Sequence, residues 1–276
     1  MARQAKGQGA PICQQHLPFR PWSDPVLSRL PGLKPVEPGD WLRRDEAFAP
    51  QMALRDALLA TRRDEVLRLD PGAEAAARAL LEAVLEEISG KDGYRRAGEA
   101  VTCPDGRRVT IDRADPLLTA GRLVQEDLVL MQRRPGESAH LMRGAVVCFP
   151  ASWTLAEKFN RPLAAIHTPV AVYSDDMARR VQRLFDGLRL GRPIWRANAF
   201  LYEDPALFQP RREDAPRPAP SPGARWLRME RQVLRRLEAV EDTVVFSIHT
   251  WVLDATCLSP EDRAALGGGP EGAARA

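Results

Sequence analysis

The stretch WLRMERQVLRRLEAVEDTVVFSIHTWV, residues 226–252, decides the fold. In its first half Leu227, Met229, Arg231 and Val233 fall on one side of an extended chain, and Arg228, Glu230 and Gln232 on the other. In its second half Val244, Phe246, Ile248 and Val252 stand opposite Val245, Ser247, His249 and Trp251. Period-two patterning of this length predicts strands from Trp226 to Leu234 and from Val244 to Val252.

Working outward, Trp195, Ala197 and Ala199 alternate with Arg196 and Asn198, which predicts a strand from Ile194 to Tyr202. Further strands are predicted at Leu128 to Gln132 and Leu141 to Phe149, with a helix at about Asp176 to Leu188. Val101 and Cys103 before Pro104-Asp105-Gly106, then Val109 and Ile111, read as a hairpin, because Asp-Gly supplies the positive φ of a tight turn. The period becomes helical upstream. In AEAAARALLEAVLEEIS (73–89), Ala77, Leu80, Leu81, Val84, Leu85 and Ile88 form one apolar stripe, with Asp70 as the expected cap and Pro71 in the first turn. Another helix begins near Pro50. Strands of this kind with flanking helices predict an α+β domain on an antiparallel sheet.

Prolines at 11, 18, 21, 25, 31, 35 and 38 preclude a long helix over residues 1–44. Leu17, Phe19, Trp22, Leu27, Leu30 and Trp41 predict that this Pro-rich arm docks on a domain spanning 18–262, leaving 1–17 flexible. RREDAPRPAPSPG (211–223) is expected to be a mobile loop, and 263–276 a disordered tail.

Forty Lys plus Arg against 37 Asp plus Glu leave a net charge of +3, too balanced for a nucleic-acid footprint. No apolar run approaches the roughly 18 residues of a membrane span and MARQAKGQGA lacks the apolar centre of a signal peptide, so a cytoplasmic location is expected. Cys13, Cys103, Cys148 and Cys257 lie far apart, which excludes zinc and iron-sulfur spacing and predicts free thiols. Phosphate-loop, G-x-S-x-G and H-E-x-x-H motifs are missing.

Of the four histidines, His16 and His140 read as structural or solvent-facing. His249 lies on a half-polar strand face that suits either a pocket or a sheet rim. His167, in RPLAAIHTPVAVY, ends an apolar stretch, and Pro169 imposes extended backbone at Thr168. That rigidity suits a ligand to iron, and equally a core histidine bonded to a carbonyl. A face presenting Arg196, Arg228, Glu230 and His249 would hold an anionic cofactor group beside a cationic substrate.

QEDLVLM (125–131), AVVCFPASW (145–153), EKFNRPLAAIHTPV (157–170), GRPIWRAN (191–198), WLRMERQVLRRL (226–237) and VVFSIHTWV (244–252) together resemble, in order and spacing, the heme-dependent oxidative N-demethylase alpha-subunit-like family, the dimethylamine monooxygenase subunit. The resemblance covers about residues 18 to 260 and implies a PAS-like domain holding one heme b. It implies oxidative removal of a methyl group from a dimethylamine-like secondary amine with O2, releasing formaldehyde. Electrons would come from a separate reductase carrying NADPH, FMN and 2Fe-2S. Carried onto this chain, His167 becomes the axial ligand of iron, and Arg161, Arg196 and Arg228 the holders of the propionates. Glu230 and Trp195 become the substrate contacts, and Glu230 and His249 the catalytic candidates. The chain departs from the family pattern at Ala171, where Pro is usual, at Ala199, where Trp is usual, and at His249, where Arg is usual; His249 would replace that Arg at a propionate or approach the iron itself. The alternative reading is a non-catalytic PAS-like sensor of heme or another ligand.

Overall fold

The computed structural model describes residues 10–29, 31–162, 175–215, 217–221 and 223–267, the side chains of 175–178 and 267 excepted. Its elements in chain order are β1 (Lys34–Pro35), α1 (Phe48–Thr61), α2 (Arg63–Val66), β2 (Leu67–Leu69), α3 (Glu74–Ile88), β3 (Arg95–Ala97), β4 (Ala100–Thr102), β5 (Arg108–Thr110), α4 (Pro116–Leu123), β6 (Asp127–Gln132), β7 (Leu141–Val146), α5 (Leu155–Lys158), α6 (Asp175–Asp186), β8 (Ile194–Tyr202), β9 (Trp226–Arg236), β10 (Thr243–Asp254) and α7 (Pro260–Gly267). Seven strands form one antiparallel sheet in the order β1-β8-β9-β10-β6-β7-β2, and β3-β4-β5 form a small second sheet. The architecture is α+β, as the alternation and helical periods predict.

Each face of the large sheet buries a different layer. On one, α1, α3 and α4 pack Met52, Leu80, Leu81, Val84 and Leu117 onto Leu128, Leu130, Val146, Val233 and Val245. Burying side chains of this size contributes about 1.5–3 kcal/mol each. The approach of α4 to β7 is close enough to require glycine, since a Cβ on Gly121 would stand 2.7 Å from Val146 Cγ2. On the other face, Phe185 and Leu188, at and just beyond the end of α6, meet Val129, Met131, Leu234 and Val244.

The predicted hairpin forms: Gly106 has φ 83°, and Cys103 N donates to Arg107 O at 2.8 Å. The Pro-rich arm docks. Leu17, Phe19 and Trp22 pack against Leu227, Met229 and Trp251, and Trp22 Nε1 donates to Asp262 at 2.6 Å. The expected Asp70 cap is not made. α3 starts four residues later, after a turn at Gly72 (φ 88°), and Asp70 instead accepts from Asn160 Nδ2 and pairs with Arg134, both at 2.7 Å. Charged and amide donors outbid a helix end for that carboxylate.

Candidate functional site

A polar patch lies at the centre of the sheet face that carries α6. The register sets Asn198 opposite Glu230, Arg196 opposite Gln232 and Phe200 opposite Arg228, so these side chains project together. The Glu230 carboxylate is 8% exposed and accepts from Gln232 Nε2 at 3.2 Å, Asn198 Nδ2 at 3.4 Å and Arg228 Nε at 3.4 Å. Burial pulls the Arg196 guanidinium below its usual pKa, and Glu230 opposes the shift. Ile194, Leu234 and Phe246 border the patch and join the layer beneath α6. The arrangement offers guanidinium and amide donors to an anion and one buried carboxylate to a cation.

Arg228 belongs to this face with its donors committed: Nη1 bonds Leu207 O at 3.1 Å and Nη2 bonds Phe149 O at 2.6 Å. It ties two loops to the sheet. Arg161 stands apart. Its backbone carbonyl accepts from Met142 N and Pro162 bridges to Leu141, at the β7 side of the sheet. Because Leu141 already pairs with β6, Pro162 lies on the outer edge of β7, five strand spacings of about 4.8 Å from β8, which places Arg161 roughly 24 Å from Arg196 along the sheet. The two do not serve one small anionic group together.

His249 is on the opposite face, which corrects the grouping expected from alternation within separate strands. It pairs with Arg231, which pairs with Ala197, whereas Glu230 pairs with Thr250 and Asn198. One residue of offset flips a side chain across a sheet. There His249, 1% exposed, lies between two acids, with Nδ1 2.9 Å from Glu126 Oε1 and Nε2 3.0 Å from Asp45 Oδ2. Burial pulls the imidazole pKa down, but Glu126 and Asp45 outweigh it and the value is pushed up to about 9. The same contacts hold Asp45 below the usual carboxylate range against the upward effect of burial. Gln14 and Gln125 also donate to Asp45, and Arg43 N donates to Glu126 at 2.7 Å. Both ring nitrogens are therefore committed to holding the arm. Trp195 shares this face, with Phe19 against its ring and the Arg231 guanidinium 5.0 Å from its centroid, so it does not meet Glu230.

His167 and Ala171 lie outside the described residues. The described chain leaves β7's side at Pro162 and resumes at α6, which packs on the face bearing Arg196 and Glu230. His140 is fully buried, with Nδ1 3.0 Å from Gln182 Nε2, and His16 is exposed beside Glu46. Among the described residues no group of three or more His, Cys, Asp or Glu is arranged to hold a metal ion. All four thiols are free, and burial pushes Cys148 up to about 12.

Sequence reading missed Asp45, Glu126 and Gln125. For the last two a signal exists, because Gln125-Glu126-Asp127 abuts the apolar run LVLM and is buried with it. Asp127 takes Arg55 at 2.9 Å and the amides of Cys148 and Phe149.

A family model described as haem-dependent oxidative N-demethylase, alpha subunit-like, matches residues 32–267. No curated protein matches the chain.

Proposed function

The chain belongs to the heme-dependent oxidative N-demethylase, alpha subunit-like family, and from that premise we propose that it holds one heme b in a PAS-like domain and demethylates a small secondary amine of the dimethylamine kind. O2 and electrons from a separate reductase enter; formaldehyde and the shortened amine leave. The observation that carries this reading is the buried Glu230 carboxylate at the centre of a face that also carries Arg196.

The donor chemistry of that face fits heme. Arg196, Asn198 and Gln232 supply cationic and amide donors suited to propionates, beside the apolar border of Ile194, Leu234 and Phe246. Arg228 shares that face and also ties the Leu207 and Phe149 carbonyls, whereas Arg161 fits that role less well by its distance. His167 is the proposed axial ligand, on the strength of its I-H-T-P-V block; His249, moreover, has both nitrogens engaged by carboxylates. When bound, heme supplies the O2 and electron chemistry.

The chain's own part is to place the amine. A secondary amine is an ammonium ion at neutral pH, and burying it requires a counter-charge. Glu230, oriented by Gln232, Asn198 and Arg228, provides one and accepts a hydrogen bond from the ammonium N–H at a carboxylate oxygen.

The test begins with full-length protein supplied with hemin, which is expected to develop a Soret band that His167→Ala abolishes or shifts; an unchanged spectrum in that variant sinks the ligand assignment. Formaldehyde is then assayed with dimethylamine, a chemical reductant and O2. Glu230→Gln is expected to raise KM about tenfold or more with the Soret band intact. No product across a panel of methylamines refutes turnover and leaves the sensor reading.

A further inference from the structure

Tyr202, the last residue of β8, is 5% exposed, yet two guanidinium groups share its ring. Arg217 Cζ lies 3.6 Å and Arg228 Cζ 5.9 Å from the ring centroid. Arg228 is compensated by Glu230 and two carbonyls. Arg217 is not. Among the described residues its one hydrogen bond runs from Nη1 to Leu201 O at 3.4 Å, and no carboxylate there pairs with it or with Arg211. Burial depresses the Arg217 pKa, the Tyr202 side chain opposes this, and the positive charges of Arg228 and Arg211 depress it further. Like charges collected in a partly desolvated place are unfavourable until an anion joins them.

We propose that Arg217, seated against Tyr202, forms a binding site for a carboxylate, with the exposed Arg211 adding positive charge nearby. Tyr202 is four residues along β8 from Asn198 and on the same face, roughly 13 Å from the polar centre. A heme propionate meets that requirement, and this part of the inference rests on the function proposed above; a small free organic acid offers the same chemistry.

The experiment titrates the full-length chain with hemin and with hemin dimethyl ester, which lacks the carboxylates, and follows absorbance. Arg217→Gln is expected to weaken hemin about 10–100-fold while leaving the ester unchanged, with Arg217→Lys recovering part of the loss. Arg211→Gln, at an exposed position that tolerates substitution, is expected to shift hemin in the same direction. A parallel arm measures melting temperature with succinate. A rise in the wild type that Arg217→Gln abolishes, with hemin insensitive to the variant, assigns the site to a free acid. If the wild type binds no hemin, the function above fails while the succinate arm still decides the site. Equal weakening of hemin and ester, or no effect of the variant on hemin or succinate, overturns the proposal.

Discussion

Raising the pH from 6 to 10 is expected to loosen the fold through His249. Its pKa is about 9 in the folded chain against 6.5 for an ordinary histidine, because Glu126 and Asp45 bond both ring nitrogens. A folded pKa above the unfolded one means that the native state retains a proton the unfolded state has lost, so stability falls as pH rises. The difference of about 2.5 pH units corresponds to about 3 kcal/mol, fully present below pH 6.5 and gone once the pH passes 9. Between those limits the slope is about 1.4 kcal/mol per pH unit. The assay is urea unfolding at half-unit steps from pH 6 to 10, on wild type, His249→Gln and His249→Arg. The Gln variant leaves two buried carboxylates without their cation and is expected to lose about 3–5 kcal/mol near pH 6 and to lack the slope. The Arg variant keeps a cation that does not titrate in this range, so it also lacks the slope while retaining more stability. The reasoning is refuted if wild type and His249→Gln lose stability in parallel between pH 6.5 and 9.

Two further substitutions probe the helical face. Arg55→Met removes the cation facing Asp127 at 2.9 Å in a dry setting, and is expected to cost about 3–5 kcal/mol by urea unfolding, with Asp127→Asn recovering part of the loss. Gly121→Ala drives a methyl group toward Val146 and is expected to cost about 1–3 kcal/mol, read as a lowered melting temperature; an unchanged value means that α4 is not pinned to β7.

The long strands were legible because alternation over residues 226–252 admits no other regular structure. Glu230 and Gln232 sharing a face, with Met229 and Val233 on the other, follows from one strand alone. Placing Arg196 with Glu230, and His249 away from both, needs the register between strands, which depends on pairings that local patterning does not encode. The partners of His249 are 204 and 123 residues distant, and nothing near Asp45 announces it. Three-residue strands such as β2 and β3 are too short to show a period. Asp70 and Pro71 satisfied the local rules for a helix start, and the tertiary demands of Asn160 and Arg134 prevailed.

The docking of the arm also dictates an order of events. Gln14 brackets Val252, accepting from its amide at 2.8 Å and donating to its carbonyl at 2.9 Å, beyond the end of β6. These partners are 238 residues apart. At translation rates of about 5–20 residues per second, Gln14 is made roughly 12–48 seconds before its partner. For most of that interval Leu17, Phe19 and Trp22 have no strand to cover, since β8, β9 and β10 are made late in it, and β6 waits for β10 as its central neighbour. The arm is thus made long before the strands it covers, and it finds its place only after them.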